Sequence, residues 1–170
     1  IFWGASFPAI RVAVSLMPPQ AVMFCRMTLA CLIMLPFIKK LKPDNFEAAD
    51  LKLLLPMVIL QPCLYFFLES NALKLTTSSQ AGVISAAVPI LVALGAWLFL
   101  SERLNNKIVL GLVVSVIGVV VLTLSGEALL PGDTPFAGNS LEFGAMICAA
   151  GNMLLVKRLS DKYDTWTLTG

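Results

Sequence analysis

Residues 72–104 read "ALKLTTSSQAGVISAAVPILVALGAWLFLSERL". No charged side chain lies between Lys74 and Glu102, and beyond the Thr76–Ser79 cluster the run is mostly apolar. A helix needs about 20 predominantly apolar residues to cross a hydrocarbon core of about 30 Å, so a membrane span is predicted over 78–100. Leu53–Leu73, with Glu69 as its one charge, and the uncharged Ile108–Gly126 read the same way. Composition agrees. The chain is 58% hydrophobic and 13% charged, its mean hydropathy is +0.88, and soluble domains carry about a quarter charged residues. The expected fold class is therefore an all-α integral membrane protein, a polytopic helical bundle. A net charge of only +2 leaves no broad basic field for nucleic acid.

Six spans follow, over about 1–17, 19–38, 51–73, 78–100, 108–125 and 141–156, with a seventh beginning near Trp166. If the first runs outward from the cytoplasm, the inner connections hold Lys39, Lys40, Lys42, Lys52, Arg103, Lys107, Lys157, Arg158 and Lys162, and the outer ones only Lys74. Nine against one is a positive-inside bias, and Trp3, Trp97 and Trp166 fall near the same inner interface. The N-terminus is expected in the cytoplasm of a prokaryotic cell, with the protein in the inner (plasma) membrane. Residue 1 is Ile and the chain stops as another span begins, so it reads as part of a longer protein, and no cleavable signal peptide is visible. Cys25, Cys31, Cys63 and Cys148 lie in apolar segments without CxxC spacing, which reads as small buried hydrophobes rather than disulfide or metal ligands. No metal or cofactor is expected.

Laying the sixth span on the first, with Lys157 on Arg11 and Asn152 on Ser6, gives a weak likeness. Five spans is an odd number, so a second copy starting at the sixth would enter from the opposite side, the inverted-repeat plan of many secondary transporters. Ala72, Leu73, Lys74, Ser79, Pro89 and Glu102 resemble the pattern of EamA-type transporters of the drug/metabolite superfamily. That pattern has Ala-Leu-Lys closing helix three, a Ser/Thr/Ala-rich turn, a proline in mid-helix four and a closing Glu. The opening "FWG" with Arg11, then Pro19, Arg26, Gly111 and Gly118, is similar too. The resemblance implies ten helices in two inverted five-helix repeats. Residues 1–126 would form the first repeat, 127–140 an outer loop and 141–170 the start of the second. Glu69 is not part of the general pattern.

Three ionisable groups, Arg11, Arg26 and Glu69, are read as lying inside the spans, in one layer about 8 to 12 Å from the outer surface. Charges at membrane depth are costly and usually face the bundle interior. Arg26 with Glu69 is the favoured pair; a purely structural ion pair, or arginines snorkelling outward, is the alternative. Gln61, Tyr65 and Glu69 recur every four residues and are expected on one helix face. Gln80, Ser85 and Asn152 complete the pathway candidates, although small residues near Ser85 also suit close helix packing. Pro8, Pro56, Pro62 and Pro89 are expected to kink helices, for packing or around a pathway. Glu102 and Arg103 suit capping or anchoring at the inner boundary, and "KKLKPDNFEAADLK" (39–52) suits a solvated inner loop.

The expected function is secondary active transport, with export as the expected direction, of a small metabolite or amphipathic solute. Alternating access between the repeats would move it, with protons as candidate coupling ion through Glu69 and a homodimer as candidate assembly. A structural or regulatory membrane subunit is the alternative. The chain has no histidine, no HExxH, no GxSxG and no clustered acidic pair in sequence, which removes most hydrolase arrangements, and an enzyme is not expected.

Overall fold

The computed structural model describes residues 2–40, 47, 50–100, 106–125, 135–164 and 167–168. Among these residues all regular structure is helical: α1 (Phe2–Leu16), α2 (Pro19–Met34, continued by a 3₁₀ turn over Leu35–Lys40), α3 (Leu51–Val58), a π-helical segment (Ile59–Leu64), α4 (Tyr65–Leu75), α5 (Ser78–Ser85), α6 (Val88–Leu100), α7 (Asn106–Ser125) and α8 (Pro135–Leu159).

Proline sets most of the boundaries. Pro19 opens α2, where its missing N–H and fixed φ suit a first turn. A proline ring clashes with the carbonyl four residues back. Pro62 thus acts on Val58, where α3 stops, and Pro89 on Ser85, where α5 stops. At the first break Gln61 is extended (φ −144°, ψ 121°), and the Gln61–Pro62 peptide is cis. At the second, shorter bonds from Ala86 N to Val83 O and Ala87 N to Ile84 O bridge the gap. Pro89 therefore sits in the first turn of α6 rather than in mid-helix, whereas Pro8 and Pro56 lie inside α1 and α3.

Four helical runs among the described residues are long and apolar enough to cross a membrane: Pro19–Ile38, Leu51–Leu75, Ser78–Leu100 and Phe136–Leu159. They match four of the six predicted spans. Those predicted first and fifth correspond to shorter apolar stretches, Ser6–Leu16 and Asn106–Gly118. The sixth helix begins at Pro135, earlier than the 141 expected, because Pro135 suits the first helical position. Residues 135–140 of the predicted outer loop are thus helical. Its remainder, together with Glu102, Arg103 and Trp166, lies outside the described residues. Of the cysteines, Cys148 is buried as expected, but Cys25, Cys31 and Cys63 lie on exposed faces. They sit among apolar residues that lipid would cover.

α8 is the most buried of the four long runs and packs most broadly along α4. The two are antiparallel, and their register can be followed by contacts. Gly138 meets Leu75 and Thr76, Gly144 meets Leu68, and Gly151 meets Leu60. At Gly138 a Cβ would stand 2.7 Å from Thr76 Cβ and 2.9 Å from the backbone of Leu75 and Thr76, so only glycine permits this crossing. One apolar cluster joins α4, α5, α6 and α8 through Tyr65, Ile84, Val88, Ala145, Met146 and Ala149. A second joins α1, α2, α4 and α5 through Phe7, Ile10, Val14, Val22, Leu73 and Ala81. The outer flanks of α2 (Phe24, Leu29, Leu32) and α7 (Leu110, Val114, Ile117) stay exposed, as side chains facing lipid would.

Candidate functional site

Polar groups gather along α4 where it faces α2 and α8. Arg26 of α2 donates from Nη1 to Glu69 Oε2 at 2.8 Å, and its guanidinium lies 4.3 Å from the centre of the Phe66 ring. A flat cation stacked on a ring face keeps part of the interaction it loses on leaving water. Tyr65, one turn before Glu69, donates its hydroxyl to Glu69 Oε1 at 2.7 Å. The Glu69 side chain is 1% exposed and that of Arg26 30%, so the acid is the buried member of the pair. Both its oxygens are engaged, which is what a buried carboxylate requires.

These groups line a cavity of about 230 Å³ with Gln61, Ala149 and Met153. Gln61, Tyr65 and Glu69 thus face one space, as their spacing predicts, although by a different geometry. The extended Gln61 and the π segment, not a continuous α-helix, carry the chain past Pro62. Asn152 Nδ2 donates to Gln61 Oε1 at 3.1 Å, while its own Oδ1 is buried without a hydrogen-bond partner among the described residues. A free acceptor therefore stands beside the cavity.

The other candidates are placed elsewhere. Arg11 Nη1 donates to Leu73 O at 2.6 Å, near the end of α4, where unpaired carbonyls attract a cation. Arg11 and Arg26 thus meet successive turns of α4, but Arg11 does not line the cavity. Gln80 belongs to a separate buried cluster. The Thr76 hydroxyl lies 2.6 Å from both Gln80 Oε1 and Asn139 Oδ1, and with one proton it serves one amide oxygen at a time. Thr77 caps α5, its Oγ1 accepting from Gln80 N at 3.2 Å. Ser85 donates to Gly82 O at 2.8 Å, a bond within its own helix.

Two features escape the sequence reading. Glu142 of α8 is fully buried (0% exposed), and neither of its oxygens has a hydrogen-bond partner among the described residues. The α4–α8 register sets it near the level of Glu69, so the fold brings together two acids far apart in sequence. Placing the start of α8 at 141 leaves Glu142 at a membrane boundary; the true start at Pro135 carries it inside. At the opposite end of α8, Asp50 Oδ2 accepts from Lys162 Nζ at 2.7 Å and from the Tyr163 hydroxyl, and Lys162 also pairs with Glu47 at 3.2 Å. The Lys162 and Tyr163 hydrogen bonds hold the Asp50 carboxyl below its ordinary value. The Asp50 carboxylate in turn raises Lys162 and Tyr163. The 39–52 segment, read as only a solvated loop, is therefore tied to α8 at its end.

An intramembrane ion pair lines the cavity, and the sequence profile of the EamA-like transporter family matches residues 1–124. The chain belongs to that family. It is a multi-pass membrane protein of the drug/metabolite transporter superfamily. An uncharacterized transporter of Archaeoglobus fulgidus is 28% identical over 149 residues, 86% of this chain and 44% of the relative. A second from the same archaeon is 26% identical over 168 residues, 99% of this chain and 58% of the relative. The uncharacterized transporter YetK of Bacillus subtilis is 32% identical over 87 residues, 50% of this chain and 26% of the relative. The chain thus spans about half the length of the archaeal relatives it matches. No solved structure matches it.

Proposed function

We propose that the full-length protein is a secondary active carrier that exports a small metabolite or amphipathic solute by alternating access between two inverted repeats. Residues 1–126 would form the first repeat, 127–140 the linking outer segment, and 141–170 the start of the second. The observation that carries this reading is the Arg26–Glu69 pair lining a cavity of about 230 Å³ among membrane-spanning helices. Drug-sized ligands occupy about 300–1,000 Å³, so the solute is small, with an apolar part against Phe66, Ala149 and Met153 and a polar part for Gln61 and the ion pair. Arg11, Gln80 and Ser85 support the frame around that site, and Pro8, Pro62 and Pro89 shape its helices.

Proton coupling belongs to the same reading. A solute that draws Arg26 away leaves Glu69 buried beside Tyr65 alone, and a proton is the simplest replacement cation. The lysine and arginine bias supports a cytoplasmic N-terminus, and archaeal and bacterial relatives support a prokaryotic plasma membrane. Lipid, or a second copy in a homodimer, would cover the exposed flanks of α2 and α7.

The experiment is flux. The full-length protein reconstituted in vesicles is expected to release a solute down an imposed pH gradient, and Glu69→Gln is expected to move it without pH dependence. Flux with unchanged pH dependence in Glu69→Gln excludes coupling through that carboxyl. No flux of any solute from a metabolite panel favours a structural or regulatory subunit.

A further inference from the structure

Glu142 is the buried group that the carrier reading leaves unused. It lies two helical turns inside α8, on the face that also carries Ala149 and Met153 into the cavity, since positions seven and eleven residues on share a helix side. The α4–α8 register (Gly138 on Thr76, Gly144 on Leu68, Gly151 on Leu60) brings Ser70 level with Glu142. Ser70 Oγ is buried and likewise without a hydrogen-bond partner among the described residues. Two polar side chains without hydrogen-bond partners among the described residues thus lie at one level of the bundle.

The elements packed most closely on α8 carry few titratable side chains. α5 and α6 carry no titratable side chain. α4 offers Tyr65 and Glu69, which are bonded to each other, and the exposed Lys74. The π segment offers the exposed Cys63, and α3 and α7 offer Lys52 and Lys107, both exposed near the starts of their helices. On α8 itself, Cys148 is buried and Lys157 and Arg158 lie in the last turn. None of these groups hydrogen-bonds Glu142.

The local charge count then decides between two forms. Arg26 brings one positive charge and Glu69 uses it. A second carboxylate, fully buried and unpaired, faces a desolvation cost that proteins avoid by neutralising the group. We propose that Glu142 is a proton-binding site, a neutral carboxylic acid in this conformation, forming with Glu69 a two-carboxyl, one-arginine cluster that holds a single exchangeable proton. The proton adds to one carboxylate oxygen of Glu142 and leaves from the same oxygen, with no other bond made or broken. The proposal deepens the carrier reading by naming where a coupled proton is held, and it rests on that reading for its link to transport.

Infrared spectroscopy of the full-length protein in lipid nanodiscs tests it without any solute. At neutral pH a carbonyl band of a protonated carboxyl is expected, shifted by exchange into heavy water and lost in Glu142→Gln. If Glu142→Gln does not fold, Glu142→Met, apolar and of similar volume, serves the same comparison. No such band in the wild type, or a band that survives both substitutions of Glu142, overturns the proposal. So does a missing band with thermal stability that rises on adding sodium, which would assign a metal cation instead. Because no solute is involved, a protein that carries nothing still reports its proton, and a working carrier can still lack it.

Discussion

Removing Arg26 and removing Glu69 should have very different costs, and the structure says which is larger. At a charge separation of about 4 Å and an effective dielectric near 20, Coulomb's law gives about 4 kcal/mol of attraction. Arg26→Met leaves Glu69, 1% exposed, with only the Tyr65 hydroxyl. Breaking a buried pair from that side costs about 3–5 kcal/mol, because an uncompensated charge remains. Glu69→Gln leaves a guanidinium that is 30% exposed and still stacked on Phe66, so its cost should be nearer 1–2 kcal/mol. In the double variant no charge is stranded, and the loss should be smaller than for Arg26→Met alone. The assay is reversible unfolding of the full-length protein in mixed micelles, read as a double-mutant cycle. A coupling of about 2 kcal/mol or more is expected. Two losses that add within about 0.5 kcal/mol would show that the pair is not coupled, and the charge argument for this cavity would fail.

Gly138→Ala should destabilise by about 1–3 kcal/mol, because the new methyl meets backbone at 2.9 Å on both Leu75 and Thr76 and backbone cannot step aside. Gly95→Ala meets only the tip of the Leu154 side chain, which can rotate, so thermal unfolding should rank it well below Gly138→Ala; the reverse order would refute the α4–α8 register. Asp50 lies below its ordinary value of 3.8 when folded, so its contribution is present above that value and is lost as pH falls through the lower folded one. Lys162, raised above 10.5, contributes fully below that value and loses its contribution as pH rises through the folded one. Amide exchange at Lys162–Asp164 should therefore stay slow, relative to its intrinsic rate, between about pH 4 and 10; Asp50→Asn should speed it across that window, and unchanged exchange would show that the contact does not hold the end of α8.

Much of this was legible in the residues. Apolar length located the spans, because a membrane leaves few alternatives to a long helix. The pairing of Arg26 with Glu69 followed from cost, since unpaired charges at that depth are rare. Breaks within spans were harder. Proline marks where a helix cannot run on, but whether the chain answers with a π segment, as at Pro62, or with a two-residue gap, as before Pro89, depends on the packing around it. Glu142 was hidden by a boundary. Helix ends are the least certain part of any such reading, and six residues separate an acid at the headgroups from one buried in the bundle. Gln80 and Arg11 look like pathway groups in a list of intramembrane polar residues. Only contacts reveal that each already has a structural partner.

The polar groups along the α4–α8 contact fall into layers that differ in how completely they are satisfied. At one end Thr76, Gln80 and Asn139 form a closed knot beside the tight Gly138 crossing. Beyond the other end Asp50, Lys162 and Tyr163 close a second. Between them lie the atoms left without partners: Glu142, Ser70 and Asn152 Oδ1. A packing interface would place its unsatisfied groups where water or headgroups reach them, at the ends, and keep its centre dry. Here the order is reversed. Groups held in reserve at the centre, between ends that are bonded shut, are what a site needs if it is to accept a proton or solute while its walls stay in register. Motion of α8 against α4 would have to open one knot while the other held, and the two knots differ in chemistry. The Thr76 knot is buried and built of neutral amides and a hydroxyl. The Asp50 knot carries an ion pair whose lysine is 32% exposed, so water can replace its bonds more readily than those at the Thr76 end.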